Sequence, residues 1–173
     1  MTIHLNEVDN SIIQIVPISE NYIIGFHKCL DSVARERQYI GFIQAPPIES
    51  TKEFILSNIK NNVPQFIALK EDDVIGWCDI SPLRGDGFTH CGRLGMGVLK
   101  DYRRQGIGTK LMERTIIEAK ERGIERIELE VYASNTPAIN LYEKRGFNHE
   151  GVKRRARKLD GVYDDIIVMA LFI

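Results

Sequence analysis

The stretch "YRRQGIGTKLMER" (102–114) decides how this chain is read. Two arginines precede two glycines, and an amphipathic run then begins with no Asp, Ser or Glu where a helix ordinarily offers one to its first free N–H groups. Gly106 and Gly108 carry no bulk, so consecutive N–H groups there can close around an oxyanion such as a diphosphate. Lys100, Arg103, Arg104 and Lys110 surround that opening and add charge. An ordinary glycine turn with solvated arginines satisfies the same letters, and this stretch alone leaves the two readings level.

Working outward, Ile107, Leu111, Met112, Ile116, Ile117 and Ala119 recur at three-to-four spacing, which predicts a helix over 106–122 stopped by Gly123. Just upstream, "HCGRLGMGVLK" (90–100) reads as a strand weakened by Gly92, Gly95 and Gly97 unless something approaches its backbone closely. Downstream, "IERIELEVYA" (124–133) alternates Ile127, Leu129 and Val131 against Glu128, Glu130 and Tyr132, a strand with two different faces. "SNTPAINLYEKRG" (134–146) reads as a helix with Thr136 as N-cap, Pro137 at the first helical position and Gly146 as the stop.

The flanks complete the pattern. Residues 11–19 read as an edge strand ending at Pro17, and 20–38 and 51–61 as helices separated by an exposed Pro-containing loop (44–50). Residues 64–83 read as a hairpin about Glu71 and Asp72, and 147–173 as two strands about Asp160-Gly161. The order of elements predicts a mixed, mostly antiparallel α/β sheet of about seven strands flanked by about four helices.

Composition narrows the classes. The 173 residues are 43% hydrophobic and 27% charged, which fits one domain spanning 1–173, and a net charge of −1 supplies no global basic field for nucleic acid or anionic membrane. The basic run "KRRARK" (153–158) lies on an expected strand whose alternation splits it between two faces. Cys29, Cys78 and Cys91 are odd in number and lack C-x-x-C spacing, which predicts neither a disulfide framework nor a zinc ribbon and fits a reducing cytoplasm. Residues 1–16 lack the layout of a signal peptide, and no window has the length of a membrane span. The turn is neither a P-loop nor a dinucleotide fingerprint, which disfavours kinase and dehydrogenase readings.

Arg103-x-x-Gly106-x-Gly108, preceded by "LGMGVLKDY" (94–102) and followed by "NTPAINLYEKRGF" (135–147), resembles the GNAT superfamily of acetyl-CoA-dependent N-acetyltransferases. The resemblance is strongest from about Val74 to Phe147. "VIGWCDI" and the ending "DGVYDDIIVMALF" are similar to its phosphinothricin-acetyltransferase-like branch. The resemblance implies that the turn opened by Arg103 holds the coenzyme A diphosphate through the backbone N–H groups of Arg104, Gln105, Gly106, Ile107, Gly108 and Thr109. It implies that Met96, Gly97 and Val98 run beside the pantetheine arm, that Asn135 bonds that arm, and that Asn140 touches the outer cofactor. Without the motif, Asn135 reads first as a turn or helix-capping residue. Tyr142 falls where the family places a tyrosine facing the cofactor sulfur, and a protonated phenol there can donate to the departing thiolate.

The chemistry so implied is direct attack of a neutral amine on the thioester carbonyl, with the Val98 N–H polarising that carbonyl and no metal. The branch's strand glutamate is replaced here by Arg93, which is placed to attract an acceptor carboxylate. Asp79 and Glu130 are the next candidate bases, each with a rim carboxylate as the alternative role. Residues 35–47, with Arg35, Arg37 and Tyr39, are the candidate acceptor segment. The expected acceptor is a small-molecule primary amine, an amino acid or a relative of one. A protein N-terminus or lysine, and a non-catalytic acyl-CoA-binding domain, are the competing readings. The resemblance also admits a homodimer, with 166–173 either joining a shared sheet or forming an internal strand.

Overall fold

The computed structural model describes residues 12–173, so most of the leader reading over 1–16 lies outside the described residues. Seven strands form one sheet in the order β1-β2-β3-β4-β5-β7-β6. They are β1 Ile13–Pro17, β2 Gln65–Lys70, β3 Asp73–Pro82, β4 Cys91–Val98, β5 Arg126–Tyr132, β6 Asn148–Leu159 and β7 Val162–Phe172. The helices are α1 Ile23–Arg35, α2 Ile48–Lys60, α3 Ile107–Glu121 and α4 Thr136–Lys144. Every strand pair is antiparallel except β4 with β5, and α3 supplies the crossover that a parallel pair requires. The expected fold class is observed, and the hairpins turn where predicted, at Glu71 and at Asp160-Gly161, whose φ values of 49° and 81° suit a tight two-residue turn.

Alternation along the strands separates two cores. Cys78, Ile80, Ile127, Leu129 and Met169 pack on one face with Leu111 and Met112 of α3 and Tyr142 of α4. Trp77, Ile67 and Leu69 pack on the other with Phe26, Cys29 and Val33 of α1 and Ile55 of α2. The buried stripe of α3 is Ile107, Leu111, Met112, Thr115 and Ala119, and Ile117, expected in that stripe, is exposed. Thr115 takes the inward position at no polar cost because its hydroxyl donates to the Leu111 carbonyl at 2.8 Å.

Two details at α4 correct the sequence reading. Asn135, not Thr136, is the N-cap, its side-chain oxygen accepting from the Ala138 N–H at 3.3 Å, a bond of a kind worth about 1 kcal/mol. Thr136 is therefore the first helical residue and Pro137 the second. Residues 166–173 lie in β7, which is flanked by β5 and β6, so this segment is internal and β6 forms the sheet edge. Among the described residues no helix is long and apolar enough to cross a membrane, and the three cysteines are free and buried.

Candidate active site

The sheet opens at its centre. β4 and β5 pair through Cys91, Gly92 and Arg93 against Arg126, Ile127 and Glu128, and no further. Beyond that point Leu94–Val98 pair only with β3, and Leu129–Tyr132 only with β7. The Leu99 N–H donates to the Ile75 carbonyl at 2.9 Å, so by the alternation of an antiparallel ladder the peptide groups of Met96 and Val98 point away from β3, into the cleft. A free strand edge at the centre of a sheet is a place for an extended ligand to add itself.

Gly97 has a different reason to be glycine. A Cβ there would lie 2.3 Å from the Trp77 ring, and one at Gly92 would lie 2.5 Å from Ile80 Cγ2. The close approach expected along this strand therefore comes, at these two positions, from the protein's own side chains on β3.

The cleft leads to the turn with which α3 begins. Arg104 has φ 60° and Gly106 φ 77°, both left-handed, and nothing lies within 4 Å of where a Cβ on Gly106 would be. The first backbone bond that closes the helix is from the Lys110 N–H to the Gly106 carbonyl at 3.1 Å. The N–H groups from Arg104 to Thr109 find no backbone acceptor outside the helix among the described residues. Two left-handed residues, Arg104 and Gly106, just before a helix whose first N–H groups lack backbone acceptors make a turn of the kind that binds anions at the positive end of a helix, so these residues fit the diphosphate of a coenzyme A thioester. The Gln105 side chain is turned back, donating to the Asp101 carbonyl at 3.1 Å.

Arg103 departs from the expected phosphate contact. Its Nε donates to the Val98 carbonyl at 2.8 Å, its two terminal nitrogens grip both oxygens of Glu36, and its guanidinium lies over the Tyr39 ring at 4.6 Å. This half-buried fork ties the cleft edge of β4 to the segment after α1. The charge at the phosphate turn is left to Arg104, Lys100 and Lys110, which form no ion pair among the described residues.

Tyr142 is buried beside Phe147, with ring centroids 5.7 Å apart. Burial, followed by the nearby Cys78 thiol, raises its pKa above the usual phenol value, so it holds its proton throughout the neutral range. Asp79 faces the α1–α2 side with Gly95 beneath it, a Cβ on Gly95 falling 3.4 Å from Asp79 Oδ1. Burial pushes the Asp79 carboxyl up to about 7, opposed by the Ser81 hydroxyl, which donates to Oδ2 at 3.1 Å. Gln65 stands opposite Asp79 in register, and its buried Nε2 has no partner although Oε1 accepts from Asn58 at 2.9 Å. An unsatisfied buried donor beside a carboxyl that titrates near neutrality is a polar pair the sequence did not reveal.

The other candidates are distributed unevenly. Glu130 is engaged by Lys153 at 2.5 Å, and Arg93 by Glu128 at 2.6 Å, so Arg93 already has its carboxylate. Arg35 is likewise held by Asp31 at 2.6 Å. Asn140 is exposed on α4. Asn135 spends its oxygen on the helix cap, and with Ser134, Arg37, Gln38, Tyr39 and Arg157 it lines a cavity of about 240 Å³ between the segment after α1 and β6. Of these, Gln38, Ser134 and Arg157 were missed from sequence; the run "KRRARK" was the only signal for Arg157.

A cleft between parted central strands that ends on an anion-binding turn defines an acyl-CoA-transferase type of site. The model of the acetyltransferase (GNAT) family matches residues 26–147, and this chain belongs to that family. It is 32% identical over 110 residues to the L-amino acid N-acetyltransferase AaaT of Escherichia coli (strain K12), covering 62% of this chain and 67% of that protein. It is 45% identical over 71 residues to the [Ribosomal protein bS18]-alanine N-acetyltransferase of the same organism, 41% of this chain and 48% of that one, so the chain spans about half the length of that relative. A phosphinothricin acetyltransferase from Sinorhizobium meliloti, solved in complex with acetyl-CoA, shares the fold with a TM-score of 0.87 at 15% identity over 93% of this chain and 88% of that one.

Proposed function

We propose that this protein transfers the acetyl group of acetyl-CoA to the primary amine of a small molecule, an amino acid or a compound resembling one. The observation that carries the reading is the parting of β4 from β5 after Arg93, with the freed edge leading to the N–H groups of the α3 turn. The relationship to an L-amino acid N-acetyltransferase supports the acceptor class. Acetyl-CoA, when bound, supplies an activated acyl carbonyl.

The chain's own residues divide the remaining work. The turn from Arg104 to Thr109 holds the diphosphate, and the cleft-facing N–H groups of Met96 and Val98 orient the pantetheine arm and polarise the carbonyl. Asp79, ionised above about pH 7, would accept a proton from the incoming ammonium, and the Gln65 amide opposite it in register offers that carboxylate or the amine a polar neighbour. Tyr142, protonated throughout the neutral range, would hand a proton to the departing sulfur and regain one from the attacking nitrogen. A second reading, acetylation of a protein N-terminal alanine, is favoured by the bS18-directed relative.

Free-thiol release from acetyl-CoA across amino acids, polyamines, aminoglycosides and alanine-started peptides separates the two. Turnover of free amino acids supports the first reading, turnover confined to peptides the second, and binding without any turnover a non-catalytic acyl-CoA domain. Failure to bind acetyl-CoA contradicts all three.

A further inference from the structure

The basic run 153–158 is exposed except at Arg157, and its members have different partners. Lys153 is paired with Glu130 at 2.5 Å and Arg154 with Asp165 at 3.3 Å, while Arg155 and Lys158 lie over the Tyr163 ring at 4.0 and 4.9 Å. Arg157 is the basic residue of the run that is partly buried and that reaches the segment after α1. It lies over the Tyr132 ring at 4.5 Å, donates to the Arg37 carbonyl at 2.5 Å, and has no carboxylate partner among the described residues.

A bulge puts it there. Lys153 pairs with Ile166 and Arg157 with Asp164, so three β6 residues stand opposite Asp165 alone. Arg155 takes φ 51° within that bulge, and its N–H donates to Asp165 Oδ1 at 2.7 Å. Four residues of regular strand would carry Arg157 about 13 Å beyond Lys153, whereas the bulge holds it near the spacing of two residues, about 7 Å. Arg157 is thereby drawn back to Tyr132, on the arm of β5 that borders the cleft.

The cavity of about 240 Å³ that Arg157 lines contains a second cation, Arg37, and no acidic side chain. Arg37 is anchored on its far side by Asp160 at 2.5 Å, and Tyr39 is held beneath Arg103. Of the remaining lining, the Gln38 and Asn135 amides can donate hydrogen bonds, while the Ser134 hydroxyl already donates to Asp164 Oδ2. We infer that Arg157, with Arg37 across the cavity, takes the carboxylate of the acceptor, so that the acceptor is a compact carboxylate-bearing amine. This rests on the acetyltransferase reading above. A planar guanidinium fixed by the Arg37 carbonyl and the Tyr132 ring but unpaired with any carboxylate keeps N–H donors to offer one, and a cavity this small suits a single residue rather than an extended chain.

The test compares thiol release by the wild type, Arg157→Gln and Arg157→Lys on matched sets: a free amino acid, its amide, the decarboxylated amine and an alanine-started peptide, with acetyl-CoA affinity measured alongside. The wild type should prefer the free acid over its amide by about tenfold or more in kcat/KM, the scale of one charged hydrogen-bonded contact. In Arg157→Gln that ratio should fall toward one through a higher KM for the acid, at unchanged acetyl-CoA affinity. Arg157→Lys should keep part of the preference, and it carries the comparison if the Gln variant fails to fold. Equal use of acid and amide, a ratio unmoved by both variants, or acetyl-CoA binding with no free acid turned over would each overturn the inference while leaving the family site intact. Loss of acetyl-CoA binding by the wild type would instead overturn the reading on which it rests.

Discussion

The glycines of β4 and the glycine that opens α3 look alike as letters and differ as physics. At Gly97 the space a side chain would need is filled by Trp77, and at Gly92 by Ile80, whereas around Gly106 there is nothing within 4 Å and a left-handed backbone. The first pair lets the protein pack against itself, and the other leaves room for something that is not protein. The difference teaches that a glycine-rich strand beside a glycine-rich turn is two devices, one that packs protein on protein and one left open, which we propose receives an anion, and substitutions should separate them.

The largest effect is expected at the packed end. Gly97→Ala drives a methyl group into the Trp77 ring and should lower stability by about 3 kcal/mol or prevent folding, read by denaturant unfolding. A stable variant would show that Trp77 moves aside freely. Tyr142→Phe should reduce kcat about a hundredfold with little change in acetyl-CoA affinity, because it deletes a proton donor and keeps the buried ring. Wild-type turnover with a true acceptor would remove Tyr142 from the chemistry.

Asp79 sharpens the contrast from the α1–α2 face. Its folded pKa lies above the usual carboxylate value, so the folded state holds a proton that the unfolded chain releases, and the stability this confers is present at low pH and lost as pH rises through about 7. Asp79→Asn should therefore stabilise the protein more at pH 8 than at pH 5, by about 2 kcal/mol, and should abolish the rise of kcat/KM through neutrality. Parallel unfolding curves for the two proteins at both pH values would contradict the buried, neutral carboxyl. The smallest effect belongs to Arg103→Lys, which keeps the charge but not the fork on Glu36. It should raise the acceptor KM a few-fold and leave the acetyl-CoA affinity near that of the wild type.

What was legible in the sequence follows the range of the interactions. The helix of α3 and the two faces of β5 are local periodicities, so these were readable letter by letter, whereas the letters of the turn at 103–109 alone left a solvated glycine turn and an anion cradle level. Ile117 went wrong because helical spacing alone did not distinguish the inner stripe, where Thr115 sits by bonding its own helix. Asn135 carried two readings, and the structure shows it capping α4 while it also lines the cavity. Arg103 was assigned to phosphate because its neighbours in sequence suggested it, but its partner is Glu36, brought to it only by folding. Arg157 meets Arg37 across 120 residues of chain, and the bulge that aims it depends on pairing with β7. No spacing rule could have found that contact.

The central claim is that the open turn at Gly106 receives the diphosphate of acetyl-CoA. Its most direct test is the acetyl-CoA affinity of the wild type and of Gly106→Glu, measured calorimetrically on protein whose fold is verified by unfolding. The wild type should bind, and the variant should fold yet bind at least about a hundredfold more weakly, because a carboxylate and its bulk then occupy the anion's place. Equal affinity in two folded proteins would contradict the claim and move the cofactor elsewhere.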